Sequence, residues 1–138
     1  MPELTRKNRP RVLIVDDQLS MAETLADGLA EPGYEAVALS SSREAAKRLA
    51  DDSFDALLTD LRMPGLDGLE LLEISRRAAP SRPVIVMTAY SAVESAIESI
   101  RQGAFHYLTK PFKLDDLVLF LDRALEDSQL KRSEANAC

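Results

Sequence analysis

The stretch Phe54-Asp-Ala-Leu-Leu-Thr-Asp-Leu-Arg-Met-Pro-Gly-Leu-Asp-Gly68 indicates how this chain folds. Its first six residues, Phe54 to Thr59, form a short and mostly apolar run, which predicts a buried parallel strand that ends at Asp60. The proline and the glycines that follow predict a turn. One carboxylate therefore stands at the carboxyl end of a central strand. In open α/β sheets this edge binds ligands, because the loops that leave the strands converge there.

The rest of the chain repeats this alternation of short apolar runs and amphipathic stretches. The apolar runs predict five strands, at Arg11–Val15, Tyr34–Leu39, Phe54–Thr59, Pro83–Met87 and Ala104–Leu108. Helical patterns separate them, and three of these patterns open with the Ser-x-x-Glu spacing of a capping box, at Ser20, Ser41 and Ser91. A last helix begins at Leu114 and is expected to end gradually in the polar residues from Glu126 onward.

These five β/α units contain no hydrophobic hairpin, so the predicted fold is α/β, with a parallel sheet covered by helices on both faces. Crossover connections between parallel strands are right-handed, which leaves few topologies. For five strands we expect the flavodoxin-like (βα)5 fold, a doubly wound parallel sheet with the strand order 2-1-3-4-5.

Composition narrows the class of protein. The 138 residues suffice for one domain with a real core. No apolar run approaches the roughly 18 residues of a membrane span, so we expect a cytoplasmic protein without membrane contact. The net charge of −6 argues against direct nucleic-acid contact by this domain. With one histidine, His106, and one cysteine, Cys138, the chain cannot form a metal cluster of histidines or cysteines.

In the predicted strand order, strands 1, 3, 4 and 5 lie side by side, and each ends in polar residues. These residues are Asp16, Asp17, Asp60, Thr88 and Lys110. Crowded carboxylates repel one another and need a cation, and ligands that are all oxygens indicate Mg²⁺. Lys110 and Thr88 suit phosphoryl oxygens. A carboxylate beside them can act as a nucleophile and form an aspartyl phosphate.

At these positions the sequence resembles the receiver domain of two-component response regulators, over about residues 10 to 127. The matching pieces are Val-Asp-Asp at 15–17, Thr-Asp-Leu-Arg-Met-Pro-Gly-Leu-Asp-Gly at 59–68, Met-Thr-Ala at 87–89 and Thr-Lys-Pro-Phe at 109–112. The resemblance implies a receiver domain over 11–127 and the start of a linker or tail over 128–138. Residues 1–10 are polar and basic with two prolines, which predicts a flexible N-terminal arm.

For the metal and phosphate site, the resemblance implies a role for each matching residue. Asp60 matches the phosphoacceptor, which takes a phosphoryl group from the phosphohistidine of a sensor histidine kinase. Asp17 matches a direct Mg²⁺ ligand, and Asp16 matches the acid that holds a metal-bound water. Arg62 matches the position whose backbone carbonyl completes the metal site. Lys110 matches the lysine that binds the phosphoryl group, and the peptide bond between it and Pro111 is usually cis in the family.

The resemblance also implies a switch and a rim around the phosphate. Thr88 matches the switch hydroxyl, and Tyr107 matches the aromatic residue that turns inward when this hydroxyl moves. The rim consists of Arg62, Ala89 and Tyr90. Because Arg62 and Tyr90 are large, we expect them to screen the phosphate from water and to make self-dephosphorylation slow.

The expected function is a phosphorylation-dependent signalling switch that catalyses only its own phosphorylation and dephosphorylation. Phosphorylation is expected to change the surface formed by helix 4, strand 5 and helix 5, where Leu119 faces solvent, and to strengthen a homodimer. The variable positions resemble receivers of the NtrC-like type, which usually precede an AAA+ ATPase that activates σ54 RNA polymerase. The 138 residues contain no Gly-x-x-x-x-Gly-Lys loop, so the chain is either an excised receiver, which we favour, or a stand-alone one.

Two other functions fit parts of the pattern. A phosphohydrolase of the haloacid-dehalogenase type also forms an aspartyl phosphate. That family places its nucleophilic aspartate and a second aspartate two residues apart after strand 1, whereas Asp16 and Asp17 are adjacent. The chain also lacks room for a substrate cap. A degenerate receiver that only binds proteins is disfavoured because all five site residues are present.

Overall fold

The computed structural model describes residues 9–51, 53–89 and 93–137. Its strands are β1 (Arg11–Val15), β2 (Glu35–Leu39), β3 (Ala56–Asp60), β4 (Val84–Ala89) and β5 (His106–Lys110). Its helices are α1 (Leu19–Ala30), α2 (Ser42–Asp51), α3 (Gly68–Ala78), α4 (Val93–Arg101) and α5 (Leu114–Ala137). Within these described ranges, no helix combines the length and the apolar character needed to cross a membrane.

The strands form one parallel sheet in the order β2-β1-β3-β4-β5, which confirms the predicted fold and strand order. The register pairs Asp60 of β3 with Met87 of β4, and Ala89 of β4 with Lys110 of β5. The carboxyl ends of the central strands therefore meet at one edge of the sheet. This edge carries the polar residues that the sequence predicts at the ends of strands 1, 3, 4 and 5.

The core lies on both faces of the sheet, because side chains alternate between the two faces along each strand. In β1, Val12 and Ile14 pack with buried residues of α1 and α5, such as Leu29 and Leu121. The intervening Leu13 packs on the opposite face, with buried residues of α2, α3 and α4. The helices thus cover the sheet as two layers, α1 with α5 and α2 with α3 and α4.

Strands β3, β4 and β5 end later in the chain than their apolar runs predict, and β3 and β5 also begin two residues later than predicted. The predicted runs stop at Thr59, Met87 and Leu108, whereas the strands stop at Asp60, Ala89 and Lys110. The reason is that backbone groups form the ladder, so pairing continues through polar residues. Asp60, Thr88 and Lys110 are consequently held by the sheet itself.

The start of α1 differs from the prediction. The helix begins at Leu19, with Gln18 as its N-cap, so Ser20 lies inside the first turn and caps nothing. The backbone N–H of Gln18 donates to Asp16 Oδ1 at 2.9 Å. The Asp16 carboxylate therefore binds the N–H of the N-cap residue Gln18, and no side chain caps the first turn of α1.

Side chains cap the starts of α2 and α3. Ser41 Oγ accepts a hydrogen bond from the backbone N–H of Glu44 at 3.2 Å, which confirms Ser41 as the cap of α2. Asp67 forms a reciprocal capping box with Glu70 at the start of α3. The capping box predicted at Ser91 lies outside the described residues.

The last helix does not end near Glu126, as the sequence predicts, but continues to Ala137. Two residues past Glu126, the buried hydroxyl of Ser128 donates to the carbonyl oxygen of Ser81 at 2.6 Å. This contact with the segment between α3 and β4 holds this part of the helix on the domain. On the outer side of α5, Leu119 is 45% exposed, as predicted.

Candidate functional site

Three carboxylates meet at the carboxyl edge of the sheet. Oxygens of Asp16, Asp17 and Asp60 all lie within 4.8 Å of one another. Asp16 is buried, Asp60 is half-buried and Asp17 is exposed, so the cluster is open to solvent on one side. The adjacency of β1 and β3 brings these residues together, because Asp16 and Asp17 follow β1 and Asp60 is the last residue of β3.

Lys110 joins two of these carboxylates. Its Nζ donates to Asp16 Oδ2 at 2.7 Å and to Asp60 Oδ2 at 3.2 Å. Burial lowers the pKa of Lys110, but its hydrogen bonds and ion pairs with the two carboxylates outweigh burial and raise that pKa above its usual value. Lys110 is therefore held as a cation. The peptide bond between Lys110 and Pro111 is cis, as the family resemblance implies.

The charge on Asp60 is costly in this environment. Burial raises the pKa of Asp60 above its usual value, and the neighbouring charge of Asp16 adds to the effect. Lys110 and the backbone N–H of Arg62 oppose the shift without cancelling it. Three carboxylates thus face one ammonium group, and the excess negative charge and all-oxygen donor set fit Mg²⁺.

The residues predicted to form the switch lie on β4 and β5. Thr88 is buried near the end of β4, where its hydroxyl contacts the carbonyl oxygen of Ala89 at 3.3 Å. Tyr107 is half-buried on β5, against the core formed with α2, α3 and α4. Of the predicted rim, Ala89 is exposed at the end of β4, whereas Tyr90 lies outside the described residues.

The loop from Leu61 to Asp67 connects Asp60 to α3 and is tightly constrained. At its far end, Gly68 donates its backbone N–H to the carbonyl oxygen of Leu61 at 2.8 Å. A Cβ atom at Gly68 would lie 2.5 Å from the carbonyl oxygen of Asp60, so this close approach requires glycine. At the near end, the backbone N–H of Arg62 donates to the Asp60 carboxylate. The Arg62 side chain is exposed.

Sequence reasoning did not find Ser42, which contacts this loop. Its hydroxyl bonds to Pro64 and Leu66, which lie 22 and 24 residues further along the chain. In the sequence, Ser42 is only the second serine at the start of a helix that Ser41 caps. A contact across such a separation leaves no local signal, so only the folded chain reveals it.

Comparison with known proteins agrees with this geometry. The sequence model of the response regulator receiver domain matches residues 12–122. The chain belongs to this family. Receiver domains act in two-component systems with sensor histidine kinases, and they generally bind Mg²⁺ at an acidic pocket.

Curated relatives of the receiver are regulators of the NtrC-like type. The chain is 42% identical over 122 residues to the regulatory protein AtoC of Escherichia coli K12, covering 88% of this chain and 26% of AtoC. It is 40% identical over 124 residues to the DNA-binding transcriptional regulator NtrC of Klebsiella pneumoniae, covering 90% of this chain and 26% of NtrC. The chain thus spans about a quarter of the length of these relatives.

Solved structures share the fold of the receiver. NtrX from Brucella abortus, solved in complex with ADP, is 32% identical with a TM-score of 0.88, covering 94% of this chain and 30% of that one. The beryllofluoride-activated NtrC4 receiver domain dimer is 33% identical with a TM-score of 0.80, covering 86% of this chain and 98% of that one.

Proposed function

We propose that this receiver is a cytoplasmic phosphorylation switch in which Asp60 accepts a phosphoryl group from the phosphohistidine of a sensor histidine kinase. The observation that carries the proposal is the position of the Lys110 ammonium, 3.2 Å from Asp60 Oδ2 among three clustered carboxylates. An oxygen of Asp60 attacks phosphorus, and the bond from phosphorus to the imidazole nitrogen breaks. The nitrogen keeps the electron pair and takes a proton from water, which leaves an acyl phosphate on Asp60.

Charge neutralisation provides most of the catalysis in such a transfer. Asp16, Asp17, Asp60 and the backbone carbonyl of Arg62 would hold Mg²⁺, which supplies positive charge to the phosphoryl oxygens when it is bound. Lys110 donates to a phosphoryl oxygen once the new group occupies the space beside Asp60. Its existing bond to Asp16 keeps the ammonium group at this position.

The switch would link the phosphoryl group to a distant surface. The hydroxyl of Thr88 moves towards the phosphoryl oxygens, and Tyr107 turns into the space that the hydroxyl leaves. Repacking of β5 then changes the α4–β5–α5 surface, where the exposed apolar side chains are Ile97, Ile100 and Leu119. A change at this surface would strengthen a homodimer and control transcription through domains outside this chain. The NtrC4 receiver, which was solved as a beryllofluoride-activated dimer, supports this part of the proposal.

Mass spectrometry after treatment with acetyl phosphate and Mg²⁺ tests the phosphoacceptor. Asp60→Asn is expected to abolish the incorporation of acid-labile phosphate. The matched control is Asp55→Asn, which changes an aspartate just before the opposite end of the same strand, where Asp55 accepts the backbone N–H of Arg11. Incorporation at the wild-type level in Asp60→Asn would refute the assignment of this residue.

A second measurement tests the metal ligand. Asp17→Ala removes the exposed carboxylate of the cluster and is expected to weaken Mg²⁺ binding and to slow phosphorylation. Unchanged Mg²⁺ affinity in this variant would exclude Asp17 as a ligand.

A further inference from the structure

One side chain from a neighbouring helix holds the loop that follows Asp60. Ser42 is the first residue of α2, and it is 3% exposed. Its hydroxyl donates to the carbonyl oxygen of Pro64 at 3.0 Å and accepts from the backbone N–H of Leu66 at 2.9 Å. A single buried hydroxyl therefore satisfies one backbone acceptor and one backbone donor of the same loop.

Between these two bonds the loop passes directly against α2. Gly65 has a φ of +84°, in the left-handed region that favours glycine. A Cβ atom at Gly65 would lie 3.0 Å from Ser42 Oγ, which is tighter than ordinary van der Waals contact. The absence of a side chain at Gly65 is what allows the loop to approach the Ser42 hydroxyl this closely.

The segment that Ser42 holds lies next to the residues of the site. Arg62 stands two residues before Pro64, and its backbone hydrogen-bonds the Asp60 carboxylate. The far end of the loop is fixed by the bond from the N–H of Gly68 to the carbonyl oxygen of Leu61. Ser42 fixes the middle of the loop, so it restricts the positions that the Arg62 backbone can take.

We propose that Ser42 is a positioning residue for phosphorylation, because it sets the position of the Arg62 backbone relative to Asp60. The inference rests on the proposed function of Asp60 and adds a residue outside the cluster of carboxylates. Loss of the hydroxyl leaves the carbonyl of Pro64 and the N–H of Leu66 without their partner. The loop then occupies several positions, and even a small displacement of groups at a reaction centre slows the reaction.

The neighbouring Ser41 provides a matched control. Its hydroxyl caps the same helix by accepting the N–H of Glu44 at 3.2 Å. Ser41→Ala thus weakens the start of α2 without removing a bond to the loop. Ser42→Ala removes both bonds to the loop, and Ser42→Thr keeps a hydroxyl at the same position.

The experiment compares these variants in two measurements, the Mg²⁺ dissociation constant from amide chemical shifts and the rate of phosphorylation by acetyl phosphate. Ser42→Ala is expected to weaken Mg²⁺ binding and to lower the rate, each by about tenfold. Ser42→Thr is expected to recover most of both, and Ser41→Ala is expected to retain wild-type values. Wild-type values in Ser42→Ala, or equal losses in Ser41→Ala and Ser42→Ala, would overturn the proposal.

Hydrogen exchange in the wild-type protein tests the inference even if Ser42→Ala does not fold. The Leu66 amide should exchange slowly, and Mg²⁺ should slow it further because the metal site and the loop stabilise each other. Rapid exchange that Mg²⁺ leaves unchanged would overturn the proposal. If wild-type protein bound Mg²⁺ but took up no phosphate, the proposed function would fail, whereas the Mg²⁺ affinities of the variants would still test Ser42.

Discussion

Lys110 Nζ lies 2.7 Å from Asp16 Oδ2, although the two residues are 94 positions apart in the chain. Asp16 is buried, so its carboxylate oxygens depend on protein groups for hydrogen bonds. Besides Lys110, the backbone N–H of Gln18 is such a partner. The lysine that is proposed to bind the phosphoryl group therefore also stabilises the fold.

Lys110→Met should destabilise the protein in the absence of Mg²⁺. The variant leaves two carboxylates without their ammonium partner, and we expect a loss of about 2 kcal/mol in the free energy of unfolding. Urea denaturation measures it, with Lys113→Met, which changes an exposed lysine, as the control. Saturating Mg²⁺ should reduce the loss, because the cation replaces the missing charge. Equal stabilities of Lys110→Met and wild type without Mg²⁺ would contradict this prediction.

Asp60→Asn should be more stable than wild type at neutral pH without Mg²⁺. The pKa of Asp60 is raised from the ordinary 3.8 mainly by burial, so the folded protein holds this proton more tightly than the unfolded chain does. Wild-type stability therefore falls as pH rises from the ordinary value through the raised one, and Asn removes this contribution. Urea denaturation across this pH range should show that the stability advantage of Asp60→Asn over wild type grows as pH rises. Asp27→Asn, which changes an exposed residue of α1, should show no such advantage.

Arg82→Met should destabilise the protein without changing the phosphorylation rate. The Arg82 guanidinium is buried at the amino edge of the sheet, where its pKa is lowered, chiefly by burial. It donates to Phe54 O at 3.0 Å, Ser75 Oγ at 3.1 Å and Leu49 O at 3.4 Å. Leaving these acceptors unpaired should cost about 3 kcal/mol of unfolding free energy.

The control for this prediction is Arg77→Met. The Arg77 side chain forms an exposed ion pair with Glu73 at 2.7 Å. Such a pair contributes less than about 1 kcal/mol. A loss of stability in Arg82→Met no larger than in Arg77→Met would show that the buried hydrogen bonds contribute little.

Ile97→Asp should prevent dimer formation by the activated protein. Ile97 is 46% exposed on α4, and a charge there would have to be desolvated in the proposed dimer. Sedimentation velocity of beryllofluoride-treated protein should show a dimer for wild type and a monomer for this variant. Leu19→Asp is the control, because Leu19 is 42% exposed at the start of α1, which is not part of the α4–β5–α5 surface. Treated wild type that sediments like untreated wild type at every concentration would refute the dimer.

The double variant Arg62→Asn, Tyr90→Ala should lose its phosphate faster than wild type. Arg62 lies two residues after Asp60 and its side chain is exposed, so we expect it to obstruct an attacking water. We expect a rate increase of about tenfold, which corresponds to roughly 1.4 kcal/mol of barrier. Loss of phosphate from purified protein in Mg²⁺ measures it, with Arg101→Asn on α4 as a distant control. An unchanged rate would mean that these side chains do not shield the phosphate.

Several features of this protein follow from local sequence alone. Apolar runs predicted the five strands, and the absence of hairpins predicted the parallel order that the sheet has. The polar residues that end the central strands meet at one edge because parallel strands end together, so the strand order alone predicts the cluster of Asp16, Asp17 and Asp60. Strand propensity, helical periodicity and the right-handed crossover all act over short stretches of chain, which is why sequence patterns report them.

Tertiary structure decided the features that depend on side chains far apart in sequence. Helix α5 continues past Glu126, and its Ser128 reaches Ser81, 47 residues earlier in the chain. The contacts of Ser42 with Pro64 and Leu66 depend on how α2 lies against the loop after β3. Each of these bonds forms only when packing of the sheet and helices brings its two partners within about 3 Å. No local preference of either partner encodes that distance.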